Sequence, residues 1–473
     1  MSTKTSGQGI TATELQTVLE QVQQLYKQQA RPWVIGYSGG KDSTTALQLV
    51  WQAIERLDPS ERNHPIYVIA SDTQVETPMI VDYITKNIEL INQAAQEKNL
   101  PIQAATVQPD LAGSFWVNLI GKGYPAPTTR FRWCTERMKI QPANRFIESK
   151  VAEFGEVIMV LGVRSSESTT RAQLMNTYKI GASQPLRRHT TLRGAYVYAP
   201  IQDFSVDDVW TYLLSVPSPW GNNNRDLSAM YRNANAGECP LVIDDTTPSC
   251  GNSRFGCWVC TVASRDSSME AMIDNGEDWM QPLLEFRDWL ASTTDPEKKR
   301  DFRQIKGRDG RVILKKDGSP AARTYTLSTN KQMLQKLLEI QQKVLETGPD
   351  PDLRLISLDE LHEIRRIWRT ERQDWEDSVP TIYEAVTGKS VSWPIDDDVN
   401  FGDEHLSLLA SICQEHNVPL ELVAKLLDAE KEADGLARRS QINKRIAKVL
   451  TEEWRTEEDI VSSAKQLGLF QSK

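Results

Sequence analysis

Ser38-Gly39-Gly40-Lys41-Asp42-Ser43 follows the apolar run Trp33–Tyr37 and leads straight into a helical pattern beginning at Thr44. Two adjacent glycines let a backbone turn tightly and approach an anion with no Cβ in the way. The N–H groups so exposed, together with a helix N-terminus, form a phosphate cradle. Ser38, Ser43 and Thr44 add hydroxyl donors, Lys41 can neutralise phosphate charge, and Asp42 is placed to hold Mg2+ on a triphosphate. The spacing fits neither GxxxxGK(S/T) nor the dinucleotide pattern GxGxxG. The plain alternative is a strand–turn–helix connection with no ligand.

Cysteines supply the second chemistry. Cys239, Cys250, Cys257 and Cys260 give C-x10-C-x6-C-x2-C, four of the six cysteines in the chain. Clustered thiols outside a disulfide scaffold read as a metal site. A four-cysteine structural zinc usually has two CxxC knuckles, and only one is present here. The irregular spacing favours a 4Fe–4S cluster on four thiolates, with zinc and unliganded cysteines as the alternatives. Cys134 stands apart, among Arg132, Arg137 and Lys139. Those cations would lower a thiol pKa and suit it to sulfur transfer; a small packing residue is the other reading. Lys139, Arg164 and Arg171 offer cations for phosphates, the arginines bidentately. Cys413 falls on an apolar helical face and reads as core, and His189 as a solvated residue in a basic patch.

These residues need elements to hold them. Thr11 and Glu14 have capping-box spacing ahead of Leu15, Val18, Leu19, Val22 and Leu25, which predicts an N-terminal helix over 1–30. From 31 to 215, apolar runs alternate with helical stretches. Trp33–Tyr37, Ile66–Ala70 and Val157–Val163 read as strands buried on both faces, and so as an α/β fold with a parallel sheet flanked by helices. Residues 216–330 open on a Pro-, Gly- and Asn-rich linker and carry the cysteines, then a basic stretch. Between 298 and 323 stand ten Lys/Arg and three Asp, net +7, with Asp309-Gly310 and Asp317-Gly318 as turn signals for a hairpin. Such a hairpin can contact backbone phosphates, though a charged hairpin is by default a solvated face. Residues 331–473 read as a mainly helical region, with Ser357 and Glu360 capping one helix.

Overall composition bounds the answer. In 473 residues, 55 Lys+Arg face 64 Asp+Glu, a net charge of −9, which argues against a protein that coats nucleic acid by bulk charge. No apolar run is long enough for a membrane span. A cytoplasmic protein with reduced thiols is expected.

Ser38–Ser43 resembles the PP-loop, SGGxDS, of ATP pyrophosphatases, which grips the leaving pyrophosphate while the α-phosphate is attacked. Ser71-Asp72-Thr73-Gln74-Val75-Glu76 resembles the DTxxE segment of the adenylylsulfate-reductase and sulfate-adenylyltransferase branch, and Cys134-Thr135 through Pro142 its CTxxLKxxP motif. Gly162–Arg171 is similar to its GxRxxES..R segment, and Pro200-Ile201 with Asp208-Val209-Trp210 to its closing element. With the cysteine pattern and Tyr231-Arg232…Gly237-Glu238-Cys239-Pro240, residues 30–265 resemble the DndC family of DNA phosphorothioate modification. The resemblance implies a PP-loop adenine nucleotide alpha-hydrolase-like fold and an ATP pyrophosphatase or sulfurtransferase that helps place sulfur on the DNA backbone. It implies ATP, Mg2+ and a 4Fe–4S cluster as cofactors. DNA within a complex of Dnd-type proteins, and a cysteine desulfurase as sulfur donor, are the implied partners. Nucleotide contacts then fall to Ser38, Gly39, Gly40, Lys41, Asp42, Ser43, Asp72, Lys139, Arg164 and Arg171; Lys41, Asp42, Cys134 and Arg164 carry the reaction. Two alternatives stay open. An assimilatory adenylylsulfate reductase would use a Cys-Cys pair, absent here because Trp133 precedes Cys134; a non-catalytic Fe–S assembly subunit would use ATP as a signal.

Overall fold

A computed structural model describes residues 9–167, 185–234, 256–394, 402–431 and 440–466. The chain divides into two compact units, one of 1–110 with 129–284, the other of 111–128 with 285–473.

The first unit is built on a six-stranded sheet. Its strands are β1 (Trp33–Gly36), β2 (Ile66–Ser71), β3 (Ile102–Val107), β4 (Val157–Val160), β5 (Arg187–Arg188) and β6 (Ala195–Tyr198). Their order is β3-β2-β1-β4-β6-β5, parallel except for the short edge strand β5. Both β1 and β4 are buried along their whole length, so their continuous apolar sequence serves two faces at once. On one face, Trp33, Ile35, Ile66, Val68, Ile158 and Val160 share a core with Leu19, Leu47, Trp51, Ile91 and Tyr212. These come from α1 (Ala12–Gln28), α2 (Lys41–Glu55), α3 (Pro78–Glu97) and α5 (Val206–Ser215). On the other face, Val34, Ile69, Val157 and Met159 pack on Ala143 and Ile147 of α4 (Gln141–Phe154).

Local sequence sets the helix ends. Thr11 and Glu14 form the expected capping box on α1, and Ser205 with Asp208 forms another on α5; each cap stabilises by about 1 kcal/mol. A further helix of this unit, α6 (Asn224–Ala234), is tied to α2 by a buried Gln48–Asn224 amide pair, Nε2 donating to Oδ1 at 2.9 Å.

The second unit is helical. Its core helix α7 (Leu327–Thr347) buries Met333, Leu334, Leu337, Leu338 and Val344, and Thr326 caps it. Ser357 and Glu360 cap α8 (Leu358–Glu371) as the sequence predicts. Residues 111–128 thread into this unit as a widened helical turn over Val117–Gly121. The Asn330 side chain donates to Leu119 O at 3.0 Å, and the Trp368 indole to Ile120 O at 2.9 Å. Further helices α9 (Leu420–Lys431) and α10 (Ser440–Leu450) follow. Among the described residues, no helix is long and apolar enough to cross a membrane.

Candidate functional site

Order in the sheet places the site. Successive strands are added to one side of β1 as far as β3 and to its other side from β4 onward, so the C-terminal ends of β2, β1 and β4 lie side by side at the switch point where open α/β sheets bind ligands. Residues 72–76, 38–43 and 162–166 leave those three ends.

The loop after β1 folds as its glycines require. Gly39 has a φ of 71°, and Gly40 caps α2 with no side-chain capping bond. Ser38 and Ser43 hydroxyl oxygens lie 3.0 Å apart, the Ser38 N–H donates to Ser43 Oγ at 3.2 Å, and Ser43 Oγ donates to Gly40 O at 3.1 Å. This lacing holds the first turn of α2 with its amides outward, the geometry of an anion cradle.

Below the loop is a buried three-residue ion cluster. Asp42, 2% exposed, takes Lys41 Nζ on Oδ2 at 2.7 Å and Arg164 Nε on Oδ1 at 2.7 Å. Arg164, 3% exposed, also donates from Nη1 to Ser166 Oγ at 3.1 Å. Both Asp42 oxygens are thus engaged by protein cations, so here it orders Lys41 and Arg164; holding Mg2+ would require one of these contacts to open. The cluster depends on Gly162. A Cβ there would lie 2.5 Å from Asp42 O and 2.6 Å from Ser43 N, so the chain leaving β4 touches the α2 backbone directly.

The other predicted residues gather one strand away. Asp72 closes the turn after β2, accepting from Gln74 N at 2.8 Å and from Gln108 Nε2 at 2.8 Å. Cys257 and Cys260 form a tight turn, with Cys260 N donating to Cys257 O at 3.1 Å. That turn docks on the segment after β2 by a bridge between Glu76 and Cys257, and Trp258 N donates to Val75 O at 3.0 Å. Thr73 Oγ1 lies 3.3 Å from Cys257 Sγ, and Thr73 N donates to Glu76 Oε2 at 2.8 Å. Burial raises the pKa of both the Glu76 carboxyl and the Cys257 thiol, and the nearby Lys139 ammonium opposes this in each case. Lys139 is therefore close enough to the cysteine turn to act on it electrostatically. Cys134 lies half-buried on the same helical segment, upstream of Lys139.

Cys239, Cys250 and Arg171 lie outside the described residues. The described half of the cysteine set fits a thiolate-bound metal: two thiols share one turn beside a hydroxyl and a cation. A thiol that burial keeps protonated ionises when a metal binds it.

Two site residues entered the sequence reading only as members of motifs, with no role assigned. Tyr231 on α6 accepts the Lys41 N–H on its hydroxyl at 3.2 Å, and Lys41 Nζ stands 5.3 Å from its ring centroid. Its contact with Lys41 spans 190 positions, which local spacing cannot disclose. Thr73 was visible only as part of a motif; its contact with Cys257 spans 184 positions. His189 proves to be a turn-former, its Nδ1 accepting from Leu192 N at 3.0 Å.

A curated relative, uncharacterized protein MJ0066 of Methanocaldococcus jannaschii, is 27% identical over 199 residues, covering 42% of this chain and 35% of that protein. The chain thus spans about a third of that relative's length. Among solved structures, phosphoadenylyl-sulfate (PAPS) reductase from Candida auris in a phosphate complex matches at 13% identity and a TM-score of 0.28, over 51% of this chain and 99% of that one. The U34-tRNA thiolase NcsA from Methanococcus maripaludis, with its 4Fe–4S cluster, matches at 12% identity and a TM-score of 0.28, over 61% and 82%. Residues 404–451 match the model of a small protein found in certain Dnd DNA modification systems. Residues 32–263 match the model of the phosphoadenosine phosphosulfate reductase domain, over the part of the chain that carries the six-stranded sheet and the loop after β1.

Proposed function

We propose that the protein is an ATP pyrophosphatase and sulfurtransferase component of DNA phosphorothioation. The observation that carries this reading is the adjacency of a phosphate-loop cluster, Lys41–Asp42–Arg164, and a cysteine turn docked on the neighbouring strand end. Nucleotide activation and sulfur delivery then share one edge of one sheet. The two family matches support the same pairing, of nucleotide-linked sulfur chemistry with a Dnd system.

In this reading the N-terminus of α2 and the Ser38 and Ser43 hydroxyls hold the β- and γ-phosphates, and Mg2+ would neutralise part of their charge, with Asp42 as the carboxylate that could hold it once one of its ion pairs opens. Lys41 places a cation where pyrophosphate charge develops as the α-phosphorus is attacked. Asp42 keeps Lys41 and Arg164 in fixed directions, so little reorganisation accompanies the step. A non-bridging oxygen of a DNA phosphodiester attacks the α-phosphorus and expels pyrophosphate; the terminal sulfur of a protein persulfide then attacks the DNA phosphorus and displaces AMP, which leaves with that oxygen, and a thiol reductant cleaves the S–S bond so that the sulfur stays on phosphorus. A 4Fe–4S cluster on Cys239, Cys250, Cys257 and Cys260 would supply sulfur or electron chemistry at the same edge. Thr73 and Lys139 orient and electrostatically favour the Cys257 thiolate, and a cysteine desulfurase supplies the sulfur. The protein is expected to work in the cytoplasm, where its thiols stay reduced.

The test incubates the protein with ATP, Mg2+, DNA and its Dnd-type partners, and measures AMP, pyrophosphate and phosphorothioate dinucleotides after nuclease digestion. Equimolar AMP and pyrophosphate with sulfur in the DNA is the expected result. No pyrophosphate under those conditions would sink the proposal.

A further inference from the structure

The second unit contains a cleft of about 980 Å³ that no motif in the sequence marks. Eight Lys/Arg and four Asp/Glu line it, a net +4 within a chain of net −9. Its charges fall into a fixed floor and an open rim.

The floor takes Lys306 and Arg308 from the basic stretch 298–323. The Asp-Gly pairs of that stretch form two successive tight turns, with bridges at Lys306–Val312 and Leu314–Pro320. The floor cations are engaged within the unit. Lys306 pairs with Glu421 at 2.9 Å and sits 3.7 Å over the Trp454 ring, and Lys425 pairs with Glu452 at 2.7 Å. Arg308 pairs with Glu371 at 2.8 Å, and Arg300 with Glu457. Burial opposes ionisation of Glu421, yet Lys306 and Lys425 hold its carboxyl below the usual range, so Glu421 stays charged and occupied. Arg372 is built in as well: it donates to Tyr325 O at 2.7 Å, and burial beside Arg308 lowers its pKa to about 10, still a cation at neutral pH.

The rim differs. Lys444 and Lys448 are exposed on α10 and have no ion-pair partner among the described residues. Arg445 lies beside them, and α10 carries no acidic residue. Four helical positions separate the two lysines by about 6 Å along the axis, comparable to the separation of successive phosphates on a strand.

We propose that this cleft binds the phosphodiester backbone of a nucleic acid, with Lys444 and Lys448 on neighbouring phosphates. The choice of DNA as probe rests on the function proposed above; the cation geometry does not. A backbone ligand is favoured over an acidic peptide because the unpaired charges repeat at phosphate spacing along one helix.

The test is fluorescence anisotropy of the full-length protein with a short labelled DNA duplex across a salt series. Each lost phosphate contact lowers the slope of log affinity against log salt by about 0.9. K444Q/K448Q should therefore flatten the slope by about 1.8 and weaken binding at least about tenfold at low salt. K316Q/K343Q makes the same charge change outside the cleft lining and should leave the slope as it is. Equal effects from both pairs, or undetectable binding by the wild type, would overturn the site. So would displacement of the duplex by polyglutamate, or by ATP at equal phosphate concentration. The two proposals fail separately. If the cleft variants lose DNA while no pyrophosphate is ever formed, the chemistry is wrong and the cleft stands. If pyrophosphate and DNA sulfur form but both pairs bind alike, the reverse holds.

Discussion

Substituting Gly162→Ala probes the reasoning about the loop most directly, because it adds one methyl group and removes nothing. That carbon would lie 2.5 Å from Asp42 O, against an ordinary contact of 3.4 Å or more. The chain leaving β4 and the first turn of α2 must separate by about 0.9 Å to make room. Overpacking of this kind costs about 1–3 kcal/mol, which for a unit of this size lowers Tm by roughly 2–10 °C. Function should suffer more than stability. The displaced segment carries Arg164 and the displaced turn carries Lys41 and Asp42, and a misplacement near 1 Å in a reacting constellation costs about 100-fold in rate. The assay is pyrophosphate release from ATP, with thermal unfolding as the check on folding. Gly155→Ala is the control: Gly155 has a φ of 83° but open space around it, so alanine brings backbone strain without touching the loop. That variant should lose about 1–2 kcal/mol and keep its turnover. Turnover of the Gly162→Ala protein within about threefold of wild type would refute the claim that this contact sets the geometry.

Other substitutions test separate parts of the structure. Asp42→Asn leaves the buried Lys41 and Arg164 without their shared anion, a loss of about 3–5 kcal/mol measurable by chemical denaturation, and it should abolish pyrophosphate release; wild-type stability in this variant would show that the cluster is not formed. Cys257→Ser should deplete iron in anaerobically purified protein, so an unchanged iron content would remove Cys257 from the ligand set. Burial raises the Glu360 pKa above its ordinary 4.5, so the folded state holds this proton where the unfolded chain has released it. Stability contributed in this way is present below pH 4.5 and is lost as pH rises through the raised value. Glu360→Gln should flatten that part of the stability-pH curve, and identical curves would contradict the assignment.

What could be read in advance follows from how far apart the interacting residues are. Local signals translated directly: the capping boxes at Thr11–Glu14 and Ser357–Glu360, the core faces of α1 and α7, and the three all-apolar runs that became β1, β2 and β4. The edge strand β3 passed unnoticed because its positions alternate, with Gln103 exposed beside buried Ile102 and Ala104, so it lacks the unbroken apolar run of a central strand. Residues 111–128 read as part of the first unit because chain neighbours usually pack together. Their true partners are buried groups of the second unit, Asn330 and Trp368, found only once the tertiary structure closes.

Charge gave the most misleading local signal. Within the net +7 stretch, Lys306 and Arg300 find carboxylates more than a hundred residues downstream, Lys306 at Glu421 and Glu452 and Arg300 at Glu457. Folding brings those carboxylates onto two of its cations, and a paired lysine releases far fewer counterions to an incoming phosphate than an unpaired one. Formal charge along a sequence therefore locates the cations without saying which remain available. In the cleft, Lys306 and Arg308 of the stretch are paired, whereas Lys444 and Lys448 of α10, outside the stretch, have no ion-pair partner among the described residues. The same logic runs in the opposite direction at the phosphate loop. There, pairing Lys41 and Arg164 with one buried carboxylate holds the cations in fixed directions beside a helix N-terminus, where their charge acts together with that of the helix on an anion.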